Sequence, residues 1–266
     1  MHNMVQQTVK QTKSTHSRKT SKQPSGTMSV GEVLISLEKL SNKRIREQMG
    51  PRFGIYVKQA YGISMADIQK LARTIGRDHE LALALWETGW YEARLLAAFV
   101  DEPAKVTSAQ MDRWCRDFDN WGVVDTICFK LFDQTPHAFS KVVQWSKRKP
   151  EFERRAAFVL IACLAAHDKE APTEAFRRCF PLIEKGAGDD RNFVKKGVSW
   201  ALRMVGRRNL ELHNAAVDLA QRLSTSSQSS ERWIGKAALK ELTSPAVVSR
   251  FKERQADAQP KKTKKS

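Results

Sequence analysis

The residues with the clearest chemical potential are Trp121 and Asp125, which lie four positions apart in a helical stretch of the chain. Side chains at positions i and i+4 share one helix face, so the indole and the carboxylate face a common space. Such a pair is most often structural, with a core tryptophan and an ion-paired aspartate. The formal net charge of +17 predicts a polyanionic partner, and an aspartate suits that groove only if the target carries positive charge.

A second tryptophan, Trp200, has a cation one helical turn away on each side, at Lys196 and at Arg203. Two cations on the same face disfavour a dry core around the indole. The arrangement suits an indole that contacts a sugar or a base while the cations hold phosphates. The other tryptophans have no such setting and are predicted to be packing residues: Trp86, Trp90, Trp114, Trp145 and Trp233.

A repeating pattern organises the helices that must position these residues. A basic residue followed by small and then large apolar residues begins at Arg155 and returns at Lys196 and Lys236, in steps of 41 and 40 residues. This is the period of HEAT-type helical hairpins. It predicts an all-α fold in which stacked hairpins form a curved superhelix with a basic concave face. On spacing alone, the basic residues are equally consistent with solvated surface charges.

The repeat region is predicted to span residues 31–243, between two basic tails at residues 1–30 and 244–266. Residues 1–31 and 243–266 each carry a net charge of +5 and few large apolar residues, which predicts disorder. The tails are solubilising extensions or weak phosphate-binding segments. Apolar periodicity predicts helices at 30–40, 64–75, 79–88, 91–100, 108–117, 123–132, 136–147, 152–167, 173–186, 193–206, 210–223 and 230–242.

Composition excludes several classes of protein. No apolar run approaches the roughly 18 residues of a membrane helix, and the N-terminus lacks the apolar core of a secretory signal. The four cysteines form no CxxC pair, which favours reduced, buried thiols of an intracellular protein. The histidines form no cluster with metal-ligand spacing, so we predict no metal and no cofactor. We expect a cytoplasmic, nucleoid-associated protein, or a nuclear or organellar one in a eukaryote.

Several short blocks of the sequence match one known family in the same order along the chain. These blocks are Met49–Ile55, Leu85–Glu87, Glu92–Arg94, Phe118–Trp121 with Asp125, Arg154–Ala157, Asn192–Lys196 and Trp200–Arg203. They resemble the AlkD-like family of DNA alkylation repair glycosylases, which have a HEAT-like repeat fold. The resemblance covers roughly residues 44–242 and leaves both tails outside it.

The resemblance implies a set of site residues. The family's cleft is formed by two tryptophans, an aspartate and an arginine, which fall on Trp121, Trp200, Asp125 and Arg155. Arg155 would anchor a phosphate, and Lys196 and Arg203 remain the further DNA contacts expected from the helix pattern. The chain departs from the family at Gly122, where an acidic residue commonly follows the first tryptophan.

The implied activity is that of a monomeric base excision repair enzyme acting on alkylated double-stranded DNA. It would hydrolyse the N-glycosidic bond of purines made cationic by alkylation at N3 or N7, without base flipping and without lyase activity. Such a base can leave without being protonated by the enzyme. The enzyme then needs a carboxylate beside the deoxyribose to stabilise the positive charge that develops on the sugar, as in other glycosyl cleavages. The alternatives are a non-catalytic HEAT-like module that binds nucleic acid or protein, and a scaffold unrelated to DNA.

Overall fold

The fold is helical throughout the part of the chain that the computed structural model describes, residues 28–258. Within that range no strand is present, which confirms the all-α class. None of its helices combines the length and apolar character that a membrane crossing requires. The helices are α1 (Val30–Lys39), α2 (Lys43–Phe53), α3 (Met65–Ile75), α4 (His79–Glu87), α5 (Tyr91–Val100), α6 (Ser108–Arg116), α7 (Trp121–Lys130), α8 (Ala138–Trp145), α9 (Glu151–His167), α10 (Thr173–Arg177), α11 (Phe180–Ala187), α12 (Asn192–Val205), α13 (Leu210–Ser224), α14 (Ser229–Leu242) and α15 (Pro245–Ala258).

The helices form stacked hairpins, as the 41- and 40-residue steps predict. Helix α4 packs on α5, α8 on α9, α11 on α12, and α13 on α14. The second helices of successive pairs then contact one another in chain order, so that α5, α7, α9, α12 and α14 form one layer. All three basic residues of the repeat lie in this layer, Arg155 on α9, Lys196 on α12 and Lys236 on α14.

All predicted helices but one match an observed helix within two residues at each end. The exception is the single helix expected over 173–186, which is divided into α10 and α11. Pro181 occupies the first turn of α11, where its missing N–H does least harm and where it ends any helix arriving from before. Helix α2 was not predicted, because Met49 is its only buried residue and Pro51 lies inside it.

The prediction of disorder for residues 244–266 is wrong for Pro245–Ala258, which form α15. Val247 and Phe251, one helical turn apart, are buried, and the Phe251 ring lies 4.6 Å from the His213 ring. Their two side chains supply the apolar face that the charged composition of the segment conceals. The helix covers the last hairpin of the stack. The predicted disorder of residues 1–27 and 259–266 lies outside the described residues.

Three of the tryptophans predicted to pack do so completely. Trp86, Trp114 and Trp145 are fully buried, and the rings of Trp86 and Trp114 stack with centroids 4.1 Å apart. Trp90 is half-buried and stacks on Tyr61 at 4.1 Å. The four cysteines are free and buried, as expected.

The buried carboxylate of Glu92 on α5 holds the loop between α2 and α3. It accepts hydrogen bonds from the backbone N–H groups of Tyr61 at 2.9 Å and Gly62 at 2.7 Å. Gly62 has φ of 80°, and a Cβ there would lie 2.4 Å from the Asn42 carbonyl oxygen. Glycine is therefore required at this turn. Through these contacts α5 fixes the loop that follows α2, and the Tyr61 carbonyl oxygen in turn accepts from the N–H of Asn42, the residue that caps the start of α2, at 3.0 Å.

Candidate functional site

Trp121 is fixed at the first position of α7. The side chain of Asn120 caps this helix by accepting from the Val123 N–H at 3.0 Å. The Trp121 indole is half-buried, and its Nε1–H donates to the Phe53 carbonyl oxygen at 2.8 Å. That oxygen belongs to the last turn of α2, where Gly54 ends the helix with φ of 65°. The orientation of the indole therefore depends on α2 as well as α7.

Asp125 and Arg155 form a two-pronged ion pair between α7 and α9. Arg155 Nε donates to Oδ1 of Asp125 at 3.0 Å, and Nη2 donates to Oδ2 at 2.8 Å. Arg155 Nη1 donates to the Phe193 carbonyl oxygen on α12 at 2.6 Å. The guanidinium thus joins three successive helices of the inner layer. A fork of this kind fixes the carboxylate plane as well as its position.

The pair is asymmetric in its access to solvent. The Arg155 side chain is 6% exposed, whereas the Asp125 side chain retains 23% of its exposure. Burial raises the pKa of Asp125 above its ordinary value, and the charge and hydrogen bonds of Arg155 oppose that rise. The Asp125 carboxylate is therefore a partly accessible hydrogen-bond acceptor, and the buried Arg155 guanidinium sets its orientation. Arg155 uses three of its five N–H donors within the protein.

Trp200 lies on α12, two turns after Phe193. Its indole is half-buried and packs against the main hydrophobic core, whereas Trp121 packs on a smaller cluster formed by Met49, Ile55 and Ala60. The structure therefore brings Asp125 and Arg155 into direct contact and places Trp121 one turn from Asp125. A shared wall formed by Trp121 and Trp200 stays a prediction.

The two expected DNA contacts on α12 differ in their surroundings. Lys196 is exposed. Arg203 donates to Glu241 on α14 at 2.5 Å and to the Ser199 carbonyl oxygen at 3.1 Å. Glu241 also accepts from Arg207 at 3.3 Å, so one carboxylate is shared by two guanidinium groups. Their combined charge remains positive, and phosphate binding by Arg203 stays a prediction.

Gly122 occupies the position where the family commonly has an acidic residue, and its surroundings explain the absence of a side chain. Gly122 is buried, and a Cβ there would lie 2.6 Å from the Tyr91 hydroxyl oxygen and 3.2 Å from Ile55 Cδ1. Burial, together with the nearby carboxylates of Glu92, Asp119 and Asp125, raises the pKa of Tyr91. Tyr91 is thus a neutral phenol that fills the space beside the start of α7.

We expect Gly122→Ala to lower the free energy of unfolding by about 1 kcal/mol. Overpacking against Tyr91 costs about 1–3 kcal/mol, and the better helix propensity of alanine returns up to about 1 kcal/mol. Urea denaturation of the single variant and of Gly122→Ala in a Tyr91→Phe background measures the effect. Without the hydroxyl, the alanine should cost at least about 1 kcal/mol less. Equal costs in both backgrounds would show that Tyr91 is not the obstacle.

The prediction that Trp233 packs in the core is wrong, because Trp233 on α14 is 43% exposed. The ammonium group of Lys195 lies 5.2 Å from its ring centroid. The sequence held a signal for this position, because Trp233 follows Phe193 by one 40-residue step. The sequence also did not predict the role of the Phe53 carbonyl oxygen, which accepts from the Trp121 indole. It is a backbone atom, so the type of residue 53 does not indicate it.

Comparisons with known proteins bear on the fold and on the family of the chain. A solved structure described as "a new family of proteins related to the HEAT-like repeat DNA glycosylases with affinity for branched DNA structures" is 18% identical, with a TM-score of 0.66, over 79% of this chain and 93% of that chain. A designed armadillo repeat protein is 16% identical, with a TM-score of 0.35, over 80% of this chain and 94% of that chain. Curated protein sequences give no match. The family model described as "DNA alkylation repair enzyme" matches residues 33–242, and the chain belongs to that family.

Proposed function

We propose that this DNA alkylation repair protein is a monofunctional DNA glycosylase. Its substrates would be purines made cationic by alkylation at N3 or N7 in double-stranded DNA. The observation that carries the proposal is Asp125, a partly exposed carboxylate held in a fixed plane by Arg155 and one turn from a fixed indole. The protein would act as a monomer and without base flipping.

The proposed reaction requires little from the protein beyond a negative charge positioned beside the deoxyribose. The alkylated base is already cationic, so it takes the bonding electrons of the N-glycosidic bond and departs neutral. Positive charge then develops on the deoxyribose, where the Asp125 carboxylate stabilises it. Water adds its oxygen to C1′, and Asp125 orients that water and accepts its proton. Because water is the nucleophile, strand cleavage does not accompany base release.

The remaining residues have supporting roles in this proposal. The faces of Trp121 and Trp200 stabilise the cationic base and sugar. Arg155 is first a positioning residue for Asp125, and its two remaining N–H donors are those that a phosphate would use. Lys196 and Arg203 hold the DNA backbone.

The first test is base release from methylated duplex DNA. We expect the native chain to release 7-methylguanine or 3-methyladenine, separated from the DNA by chromatography. The DNA strand should stay intact until alkali cleaves the abasic sites. Release of neither base would contradict the proposal. Strand breaks without alkali would contradict the monofunctional part alone.

A second candidate is a module that binds DNA without breaking it. The observation in its favour is that Asp125 is occupied by Arg155 and Arg203 by Glu241. A carboxylate already neutralised by a guanidinium stabilises a second cation less. Salt-dependent binding to DNA without base release would favour this candidate.

A further inference from the structure

Trp233 belongs to an exposed basic surface on α12 and α14. Lys236 and Lys240 follow it on α14 at positions that share its helix face, and all three side chains are exposed. Lys195, which is half-buried, and Lys196, which is exposed, lie on α12, and α12 packs on α14. The group consists of Trp233 with Lys195, Lys196, Lys236 and Lys240. An exposed indole that contacts one cation and has three more on its own helix and the neighbouring helix is unsuited to core packing and suited to a polyanion with aromatic rings.

Lys195 contacts the exposed indole of Trp233. Its ammonium group lies 5.2 Å from the ring centroid, within the range of a cation–π interaction. The contact crosses from α12 to α14, so the ring is held between two helices that also pack on each other. A side chain held in this way loses less conformational entropy when a planar group stacks on it.

Trp233 occupies an aromatic position that recurs in the helical repeat. Phe152, Phe193 and Trp233 follow one another at steps of 41 and 40 residues. Each stands three residues before the basic residue of its repeat, so aromatic and cation occupy the same place in three successive inner helices. The rings of Phe152 and Phe193 are half-buried and lie 5.2 Å apart. In the first two repeats the aromatic side chains therefore pack on each other, and in the third the side chain faces solvent.

The basic residues of the repeat diverge in the same direction. Arg155 of the first repeat is buried and bound to Asp125, whereas Lys196 and Lys236 are exposed. In the third repeat both members of the aromatic–basic pair are therefore accessible. An aromatic face beside free cations is the arrangement with which proteins stack a base and hold its phosphates.

We propose that Trp233 is a stacking platform for an unpaired nucleotide, whose phosphates are held by Lys195, Lys196 and Lys236. In a continuous duplex both faces of each base are covered by its neighbours, so the platform selects a single-stranded extension, a gap or a bulge. The platform does not use Asp125, and the proposal holds whether or not the protein breaks a glycosidic bond.

Fluorescence anisotropy with labelled, unmethylated DNA tests the platform. One probe is a fully paired duplex and the other is the same duplex with a short single-stranded extension. We expect Trp233→Ala to weaken binding to the extended probe by about 5- to 100-fold, the range for loss of one stacked base. Binding to the paired duplex should change less than about 2-fold. Trp233→Phe should recover most of the affinity, since it keeps an aromatic face.

Val143→Ala is the matched control, because Val143 is an exposed apolar residue, 47% accessible, on the outer helix α8. It should bind both probes as the native chain does. Native affinity of Trp233→Ala for the extended probe would overturn the proposal. So would equal losses on both probes, since these would mean that Trp233 contacts the duplex. The DNA is unmethylated, so a failure of base release has no bearing on this result.

Discussion

Asp125→Asn will slow the release of 7-methylguanine by about 10²- to 10³-fold, the loss typical of removing one preorganised electrostatic group from a transition state. Asparagine has nearly the same shape and keeps one oxygen as an acceptor. It carries no charge to stabilise the sugar cation and cannot accept a proton from water. The measurement is a single-turnover rate on methylated duplex DNA at neutral pH.

The charge-matched control is Asp119→Asn. Asp119 is exposed in the turn before α7, so its substitution removes the same charge close to the site. We expect release at a rate within about 2-fold of native, since exposed charges are well screened. If Asp125→Asn keeps the native rate, Asp125 has no role in the chemistry. If Asp119→Asn slows base release as much as Asp125→Asn does, the loss of rate reflects the local electrostatic potential and not a specific role of Asp125.

DNA affinity separates the chemical role of Asp125 from a role in binding. Removing a carboxylate from a surface that faces phosphates should leave the affinity for unmethylated duplex unchanged or higher. A variant that is slow yet binds normally has lost only transition-state stabilisation. A variant that is slow because it binds poorly would instead indicate a displaced Arg155.

The architecture could be predicted because it depends on periodic features of the sequence. Each helix needs an apolar stripe for burial, and each hairpin needs the stripe to return after a fixed length. The steps between Arg155, Lys196 and Lys236 therefore predict the stacked inner helices. The same logic fails for α2, which packs through few apolar side chains. It also fails for α15, where Val247 and Phe251 are the buried apolar residues among the side chains that the structure describes.

The contacts of the candidate site could not be predicted, because spacing in sequence does not encode them. Asp125 and Arg155 are 30 residues apart, and the indole of Trp121 donates to a carbonyl oxygen 68 residues away. The family resemblance identifies Asp125 and Arg155 as site residues without saying that they bind each other. That pairing changes the expectation for Arg155, from a phosphate contact alone to a group that orients the carboxylate.

Because of this pairing, Arg155 links the stability of the fold, the charge state of Asp125 and the proposed activity. Helices α7, α9 and α12 meet at its guanidinium, and a Cβ at Gly197 on α12 would lie 3.5 Å from its Cγ. The stem of Arg155 thus runs beside the backbone of α12 at Gly197. A change at this position therefore affects the fold and Asp125 together, and the two effects must be measured separately.

Arg155→Met will lower the free energy of unfolding by about 3 kcal/mol at neutral pH, the lower end of the range for a buried pair, because it leaves the Asp125 carboxylate, which is only 23% exposed, without its partner. The guanidinium opposes the effect of burial on the pKa of Asp125, so its removal raises that pKa further. A carboxyl with a raised pKa in the folded state loses stability as pH rises from its unfolded pKa to its folded one. The deficit should therefore shrink as pH falls and be smallest below about pH 4, where Asp125 is protonated in both states. Urea denaturation across pH measures it.

The same variant should move the acid limb of base release to higher pH, because release requires the ionised carboxylate. Arg155→Lys keeps the charge and loses the fork, so its acid limb should lie between those of the native chain and Arg155→Met. The Asp125→Asn and Arg155→Met double variant should be more stable than Arg155→Met alone, because no buried charge remains unpaired. An unshifted acid limb together with additive losses of stability would mean that the two residues do not act as a pair in solution.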